Sequence, residues 1–256
     1  MLLLIDAGNT RIKWAVPDLR AQRSGPAPLW LQLDSVSHAE IAQLASQWQP
    51  LTLKRVLISN VAGAEIHNKL STILAAAVPY IVPEWLASTE KLAGVLNTYR
   101  NPAQLGCDRF ASAIAAHTLF PQQTLVVATC GTATTVDAVT ADGVFLGGMI
   151  LPGLQLMAQA LARNTAQLPQ VAASVAPENP FADNTELAIV SGCISAQVGA
   201  IARAVTALAQ RQQQSVTCVL SGGAAPYLLP HLGFTCQHID NLVLTGLYVV
   251  AQSVSH

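Results

Sequence analysis

Charge is scarce in this chain. Asp, Glu, Lys and Arg make up 11% of the 256 residues and leave a formal charge of −1. No run of Lys or Arg supplies the basic face that nucleic acid requires, so no nucleic-acid partner is expected. The five cysteines (Cys107, Cys130, Cys193, Cys218, Cys236) are odd in number and include no Cys-x-x-Cys spacing. That argues against a disulfide framework and against a structural zinc site. The histidines do not cluster: the nearest pair, His231 and His238, is seven apart, and no Ser-His-Asp pattern stands out. Asp6 interrupts the N-terminal apolar run too early for a secretory signal. The nearest approach to a membrane span, Leu242 to Val250, is too short. The expectation is a soluble, reduced, cytoplasmic protein with no membrane partner. Hydrophobic residues reach 52%, enough to bury a sizeable core in one large domain or two ordinary ones. So little charge also leaves apolar surface to cover, and burial in a homodimer is the expected destination.

What the chain does have is concentrated in its first sixteen residues, MLLLIDAGNTRIKWAV. An apolar run from Leu2 to Ile5 ends in Asp6. Ile12, Trp14 and Val16 then alternate with Arg11, Lys13 and Ala15, a period of two that predicts a second strand. Ala7, Gly8, Asn9 and Thr10 form the turn between them. Gly8 permits positive φ and close backbone approach, so amides of the turn can face an anion, with Asp6 placed to hold a hydrated Mg²⁺ beside it. An ordinary hairpin would use the same residue types.

A second copy shifts the balance. Thr124 to Val139 reads TLVVATCGTATTVDAV, again an apolar run, a glycine, a hydroxyl and an alternating strand. Aligning Gly8 with Gly131 pairs Asn9 with Thr132 and Asp6 with Thr129. Two such turns suggest a duplicated fold that grips one polyphosphate from both sides. This arrangement resembles the acetate and sugar kinase, Hsp70 and actin superfamily.

Further motifs follow in order: Tyr99, Gly106-Cys107-Asp108-Arg109, Gly131 to Asp137, Gly147-Gly148 and Pro152-Gly153. With Asp6 to Thr10 in front, they look like the type III pantothenate kinases, over nearly the whole chain. The chain is also similar to accessory transcription factors described for that family. The resemblance implies an α/β fold of two duplicated ribonuclease H-like domains, 1–120 and 121–256, each with a mixed sheet flanked by helices, and a nucleotide cleft between them. It implies phosphorylation of pantothenate on its primary hydroxyl by ATP, the first step of coenzyme A synthesis. Tyr99, Gly106, Cys107, Asp108, Arg109 and Thr185 would contact pantothenate.

Several of these residues also have local readings. Asp108 suits the first turn of a helix on dipole grounds. Arg109 does not, unless an anion lies nearby. Asp108 is the candidate general base and Arg109 the group that holds the substrate or the moving phosphoryl. ATP is assigned to Asp6, Ala7, Gly8, Asn9, Thr10, Arg11, Ile12 and Lys13, to Gly131 and Thr132, and to Gly222 and Gly223 after the strand Thr217 to Leu220. Asp6 is the Mg²⁺ residue. Asp137 would cap the second turn or order water at the metal. Relatives often carry an acid where this chain has Thr129, and there it helps bind K⁺ or NH₄⁺, so weak monovalent-cation dependence is expected.

Other elements expected are a helix Ala39–Trp48 capped by Ser37, a helix Glu65–Ala77 and a strand at Tyr80–Val82. A helix is also expected to open at Asn184-Thr185 with Thr185 as its cap, and another over Ser191–Gln210. The Pro- and Ala-rich stretch 164–180 reads as a lid or a dimer-side excursion. Asn60 reads as the cap of a loop-to-helix junction. The rival functions are a nucleotide-binding regulator without turnover and a phosphatase or polyphosphate hydrolase.

Overall fold

The computed structural model describes residues 1–20, 27–171 and 179–253. Its contacts divide the chain into two units, residues 1–121 with 241–256, and residues 122–240.

In the first unit, β1 (Leu2–Ala7), β2 (Arg11–Pro17), β3 (Trp30–Ser37), β4 (Arg55–Asn60) and β5 (Glu84–Trp85) form a sheet in the order β3-β2-β1-β4-β5. The first three strands are an antiparallel meander, whereas β4 and β5 run parallel to β1. The β1 run is apolar because the strand is central: Leu2 to Ile5 are all buried. Alternation in β2 puts Ile12, Trp14 and Val16 into a core shared with α1 (Leu44–Trp48) and α2 (Gly63–Ala77). There Trp14 and Trp48 meet edge to face at 6.2 Å, a favourable aromatic geometry. Ser37 and Glu40 form a capping box, and the turn they open is 3₁₀ over His38–Gln43 before it becomes α1. The strand expected at Tyr80–Val82 falls instead at Glu84–Trp85. The Ile81 N–H closes a turn onto the Val78 carbonyl at 3.1 Å, and Pro83 has no N–H to give to a ladder, so pairing starts only after it.

The short strands β6 (Lys91–Leu92) and β7 (Val95–Asn97) pair as a hairpin before α3 (Cys107–Leu119). Residues Arg109 to Ala116 of α3 are all buried. They are mostly small, and the C-terminal helix Leu242–Ser253 lies close against them. A Cβ added at Gly246 would sit 1.9 Å from the carbonyl oxygen of Ala111. This contact carries the chain's last helix into the first unit, whereas the sequence places residues 121–256 together.

The second unit repeats the plan. Strands β8 (Thr124–Cys130), β9 (Ala133–Val139), β10 (Val144–Pro152), β11 (Val216–Ser221) and β12 (Cys236–His238) run in the order β12-β11-β8-β9-β10. Again the first three are antiparallel, and the fourth and fifth are parallel to the first. The helices are α4 (Leu154–Asn164), α5 (Thr185–Gln212) and α6 (Ala225–Leu228).

Expected as two helices, α5 is one continuous helix of 28 residues. Its cap is Asn184, whose side chain accepts from the Leu187 N–H at 3.0 Å, and Thr185 is its first helical residue. Among the described residues it is the one helix long and apolar enough to cross a membrane, a stretch the sequence reading passed over. It buries Ile189, Cys193, Ile194 and Ile201 in the core of its unit. Of the stretch read as a lid, residues 172–178 lie outside the described residues.

Candidate active site

The carboxyl ends of β1 and β4 and the first turn of α3 meet in the first unit, the usual place for a ligand in an open α/β sheet. β1 ends at Asp6-Ala7, paired in register with Ser59-Asn60 of β4. The β1–β2 turn is closed by Gly8 N–H donating to the Arg11 carbonyl at 3.1 Å. Gly8 is not among the residues with positive φ, so that use foreseen for it does not apply. Asn9 and Thr10 are exposed at the tip.

Two neighbours hold this turn. A ring nitrogen of His38 donates to the Gly8 carbonyl at 2.9 Å, and the Arg11 guanidinium bonds the carbonyl and hydroxyl of Ser35. Arg11 is therefore engaged by β3, and the Ile12 side chain lies in the core. Neither side chain is turned over to a ligand, although their backbone belongs to the turn. His38 carries no periodic signal, and its position follows from the capping box that opens one residue earlier.

Asp6 and Asp108 face one another electrostatically. Burial and the charge of Asp108 push the Asp6 carboxyl up to about 7, against a smaller opposing pull from Lys13. Burial also raises Asp108, although the N–H of Arg109 donates to its Oδ1 at 2.8 Å. Two carboxylates in one shielded place are costly unless a cation joins them. Among the described residues no group of three or more His, Cys, Asp or Glu could hold a metal. A single carboxylate beside a phosphate is nonetheless a Mg²⁺-type donor set, since that ion keeps several waters and shares phosphate oxygens.

Arg109 is buried, and its Nη1 donates to the Tyr99 hydroxyl at 3.0 Å with the guanidinium 5.8 Å from the ring centre. Tyr99 is positioned by Asn97, which accepts from the Tyr99 N–H and donates to the carbonyls of Thr89 and Pro102. Asn97 belongs to no motif or periodic pattern that would mark it in the sequence. Cys107 lies against β4, its thiol near the Ser59 hydroxyl at 3.3 Å and the Asn60 carbonyl, and burial raises it. Asn60 itself is spent on the junction to α2, accepting from Ala62 N–H and donating to the Gly63 carbonyl.

In the second unit the glycines converge on the β8–β9 turn. Gly131 N–H donates to the Ala133 carbonyl at 3.0 Å, and Gly153 N–H donates to the Thr132 carbonyl at 2.9 Å. A Cβ at Gly153 would lie 2.1 Å from the Gly131 carbonyl oxygen. Gly222 has φ +94°, and a Cβ there would lie 2.3 Å from the Cys130 carbonyl oxygen. Only glycine fits both positions, so bare backbone is brought to Gly131 and Thr132 by Gly153 and to Cys130 by Gly222. Thr132 and Gly223 are exposed beside it. Thr129 pairs with Thr135 and Ser221 in register, so its strand neighbours are hydroxyls. Asp137, expected at the turn, is buried in mid-strand opposite Val127 and Gly148. Thr185 lines an apolar cavity of about 640 Å³ with Pro152, Met157, Leu161, Ile189 and Cys193.

A family profile described as type III pantothenate kinase matches residues 2–207. A type III pantothenate kinase of Herminiimonas arsenicoxydans is 57% identical over 98% of this chain and 97% of its own length. Among solved structures, a Campylobacter jejuni protein described as a Baf family transcriptional activator aligns over 98% of this chain and 97% of its own. Its identity is 17% and its TM-score 0.57. A glucokinase from an Antarctic psychrotroph aligns over 98% of this chain and 99% of its own, with 13% identity and a TM-score of 0.55. At such identities the structural likeness speaks for the fold alone.

Proposed function

Since this chain belongs to the type III pantothenate kinase family, we propose that the meeting of Asp6, Asp108, Arg109 and Tyr99 is where it acts on its acceptor. The reaction is the phosphorylation of pantothenate by ATP, which opens coenzyme A synthesis. Phosphoryl transfer asks a protein for position and charge neutralisation more than for covalent chemistry, and the residues divide accordingly.

Asp108 is the general base. Its carboxylate accepts the proton of the pantothenate primary hydroxyl as that oxygen attacks phosphorus. Burial raises the basicity of Asp108 toward the working pH, which improves such a base. Arg109 neutralises charge on the substrate, and Tyr99 holds the guanidinium in place while its own ring borders the acceptor. Gly106 and Cys107 shape the backbone before them. In the first unit the Ala7–Thr10 turn, steadied by His38, presents amides and short side chains to phosphate, with Lys13 as a nearby cation. In the second, Gly131, Thr132, Gly222 and Gly223 offer bare backbone to nucleotide. Asp6 is the carboxylate that would hold Mg²⁺, and the bound ion would neutralise charge on the phosphate oxygens.

We place the enzyme in the cytoplasm as a homodimer. The low charge supports the dimer, as do the exposed Ile150, Leu156, Leu161 and Phe181. Sedimentation at several protein concentrations tests it. The observation that carries the reading of the site is the carboxylate pair beside a buried, tyrosine-bound arginine. Coupled ADP release with and without pantothenate is the test. Turnover that needs pantothenate supports the assignment. Equal release without an acceptor would favour a hydrolase, and ATP binding without turnover a regulator.

A further inference from the structure

Four of the five cysteines, Cys130, Cys193, Cys218 and Cys236, pack in the core of the second unit. Cys218 and Cys236 are register partners on the adjacent parallel strands β11 and β12. The Cys236 thiol donates to the Cys218 carbonyl at 3.3 Å. We propose that Cys236 is an oxidant-sensitive thiol resolved by Cys218, so that a peroxide converts the pair into a reversible disulfide joining β12 to β11.

Access sets the order of events. β12 is an edge strand of three residues, and Cys236 is half-buried on it, while Cys218 is 1% exposed. Peroxide therefore meets Cys236 first. The Cys236 thiol is also held below its ordinary range, chiefly by the Cys218 side chain beside it. The same contact, followed by burial, holds Cys218 above it. A thiolate-prone, accessible sulfur beside a buried partner is the usual arrangement of a redox-sensitive cysteine and its resolving thiol. The other three are poorer targets. Burial pushes Cys130 up to about 12 and raises Cys193 and Cys107.

The step balances without further reagents. The Cys236 thiolate attacks one oxygen of hydrogen peroxide, the O–O bond breaks, and the released hydroxide takes a proton to leave as water. Cys236 is then a sulfenic acid. The Cys218 sulfur attacks it, an S–S bond forms, and the sulfenic oxygen leaves as a second water with the Cys218 proton. Two thiols lose two electrons and the peroxide gains them.

Adjacent strands lie about 4.8 Å apart, inside the roughly 4.4–6.8 Å between Cα atoms that a disulfide accepts. In-register side chains on parallel strands stand side by side, however, at about the strand spacing. Their Cβ atoms are then wider apart than the ~3.8 Å a disulfide prefers. The bond is strained on that account and easily reduced, as a reversible bridge must be.

The intact protein is titrated with hydrogen peroxide, quenched, unfolded in denaturant, alkylated with a maleimide and mapped by mass spectrometry. The reduced protein labels at five cysteines. After mild peroxide two labels are lost, a peptide linking Cys218 to Cys236 appears, and dithiothreitol restores all five. In Cys218→Ser, Cys236 instead accumulates as a sulfenic acid captured by dimedone. Retention of all five labels, a first loss at Cys107, or a link from Cys236 to Cys130 would overturn the proposal. The wild-type peptide map decides among these even where a variant folds poorly.

Discussion

Asp6→Asn removes one carboxylate from a place where the folded protein resists its charge. In the metal-free protein the Asp6 carboxyl sits at about 7, against 3.8 for the ordinary group. The folded state therefore binds this proton more tightly than the unfolded chain does. The resulting stability is complete below about pH 4 and is lost as pH rises through 7. A difference of about 3 units at ~1.36 kcal/mol each comes to about 4 kcal/mol. This is an upper bound, because the carboxylate is partly open to water. Asparagine carries no charge at any pH and escapes the penalty. In EDTA at pH 8 the variant should melt higher than wild type, by about 8 °C at the upper bound for a chain of this size. The gap should close as pH falls toward 4. With Mg²⁺ and ATP added, wild type should gain more than the variant, since Asp6 is the proposed ion ligand. Melting curves of both proteins across pH 4–8.5 decide the matter. A variant no more stable than wild type at pH 8, or a gap that does not change with pH, refutes the reasoning.

Three further outcomes are expected. Asp108→Asn should lower kcat by about a hundredfold to ten-thousandfold while nucleotide binding, measured by calorimetry, survives; a loss under tenfold would mean that Asp108 only starts a helix. Turnover in sodium or Tris should come close to that in potassium or ammonium at matched ionic strength, because the strand neighbours of Thr129 are hydroxyls. Near-total potassium dependence would contradict this, and Thr129→Asp should create a response. Gly222→Ala forces a side chain into left-handed backbone and against the Cys130 carbonyl, which should cost about 2–4 kcal/mol; a wild-type melting temperature would show that the turn relaxes freely.

Much of the fold was legible because strands declare themselves by period. The alternation in Ile12, Trp14 and Val16 and its echo in Thr134, Val136 and Ala138 located both meanders. The equivalence of Gly8 with Gly131 holds strand for strand. Asp6, Asp108 and Arg109 were legible through the family resemblance, and Arg109 also because a cation in a helix's first turn asks for an explanation. Long-range contacts without periodicity were not legible. The C-terminal helix groups with the first unit through a contact with α3 that depends on Gly246 lying against Ala111, and small residues leave no pattern. His38 and Asn97 act through single hydrogen bonds to distant backbone, which spacing does not reveal. The cap moved from Thr185 to Asn184 because the two are adjacent and both can accept from a helix N–H.

The same last helix bears on how the protein is made. The chain builds the sheet and α3 of its first unit, departs for about 120 residues to build the second, and returns only at residue 241. During synthesis, α3 emerges long before the helix that covers it. Its apolar flank, with Asp108 and Arg109 at one end, waits through translation of the whole intervening unit. The second unit, contiguous in sequence, can close as it appears, whereas the first is finished last although it began first. Ribosome-bound chains halted before residue 242 should therefore hold a protease-resistant second unit beside a protease-sensitive α3, an exposed surface of the kind that chaperones engage.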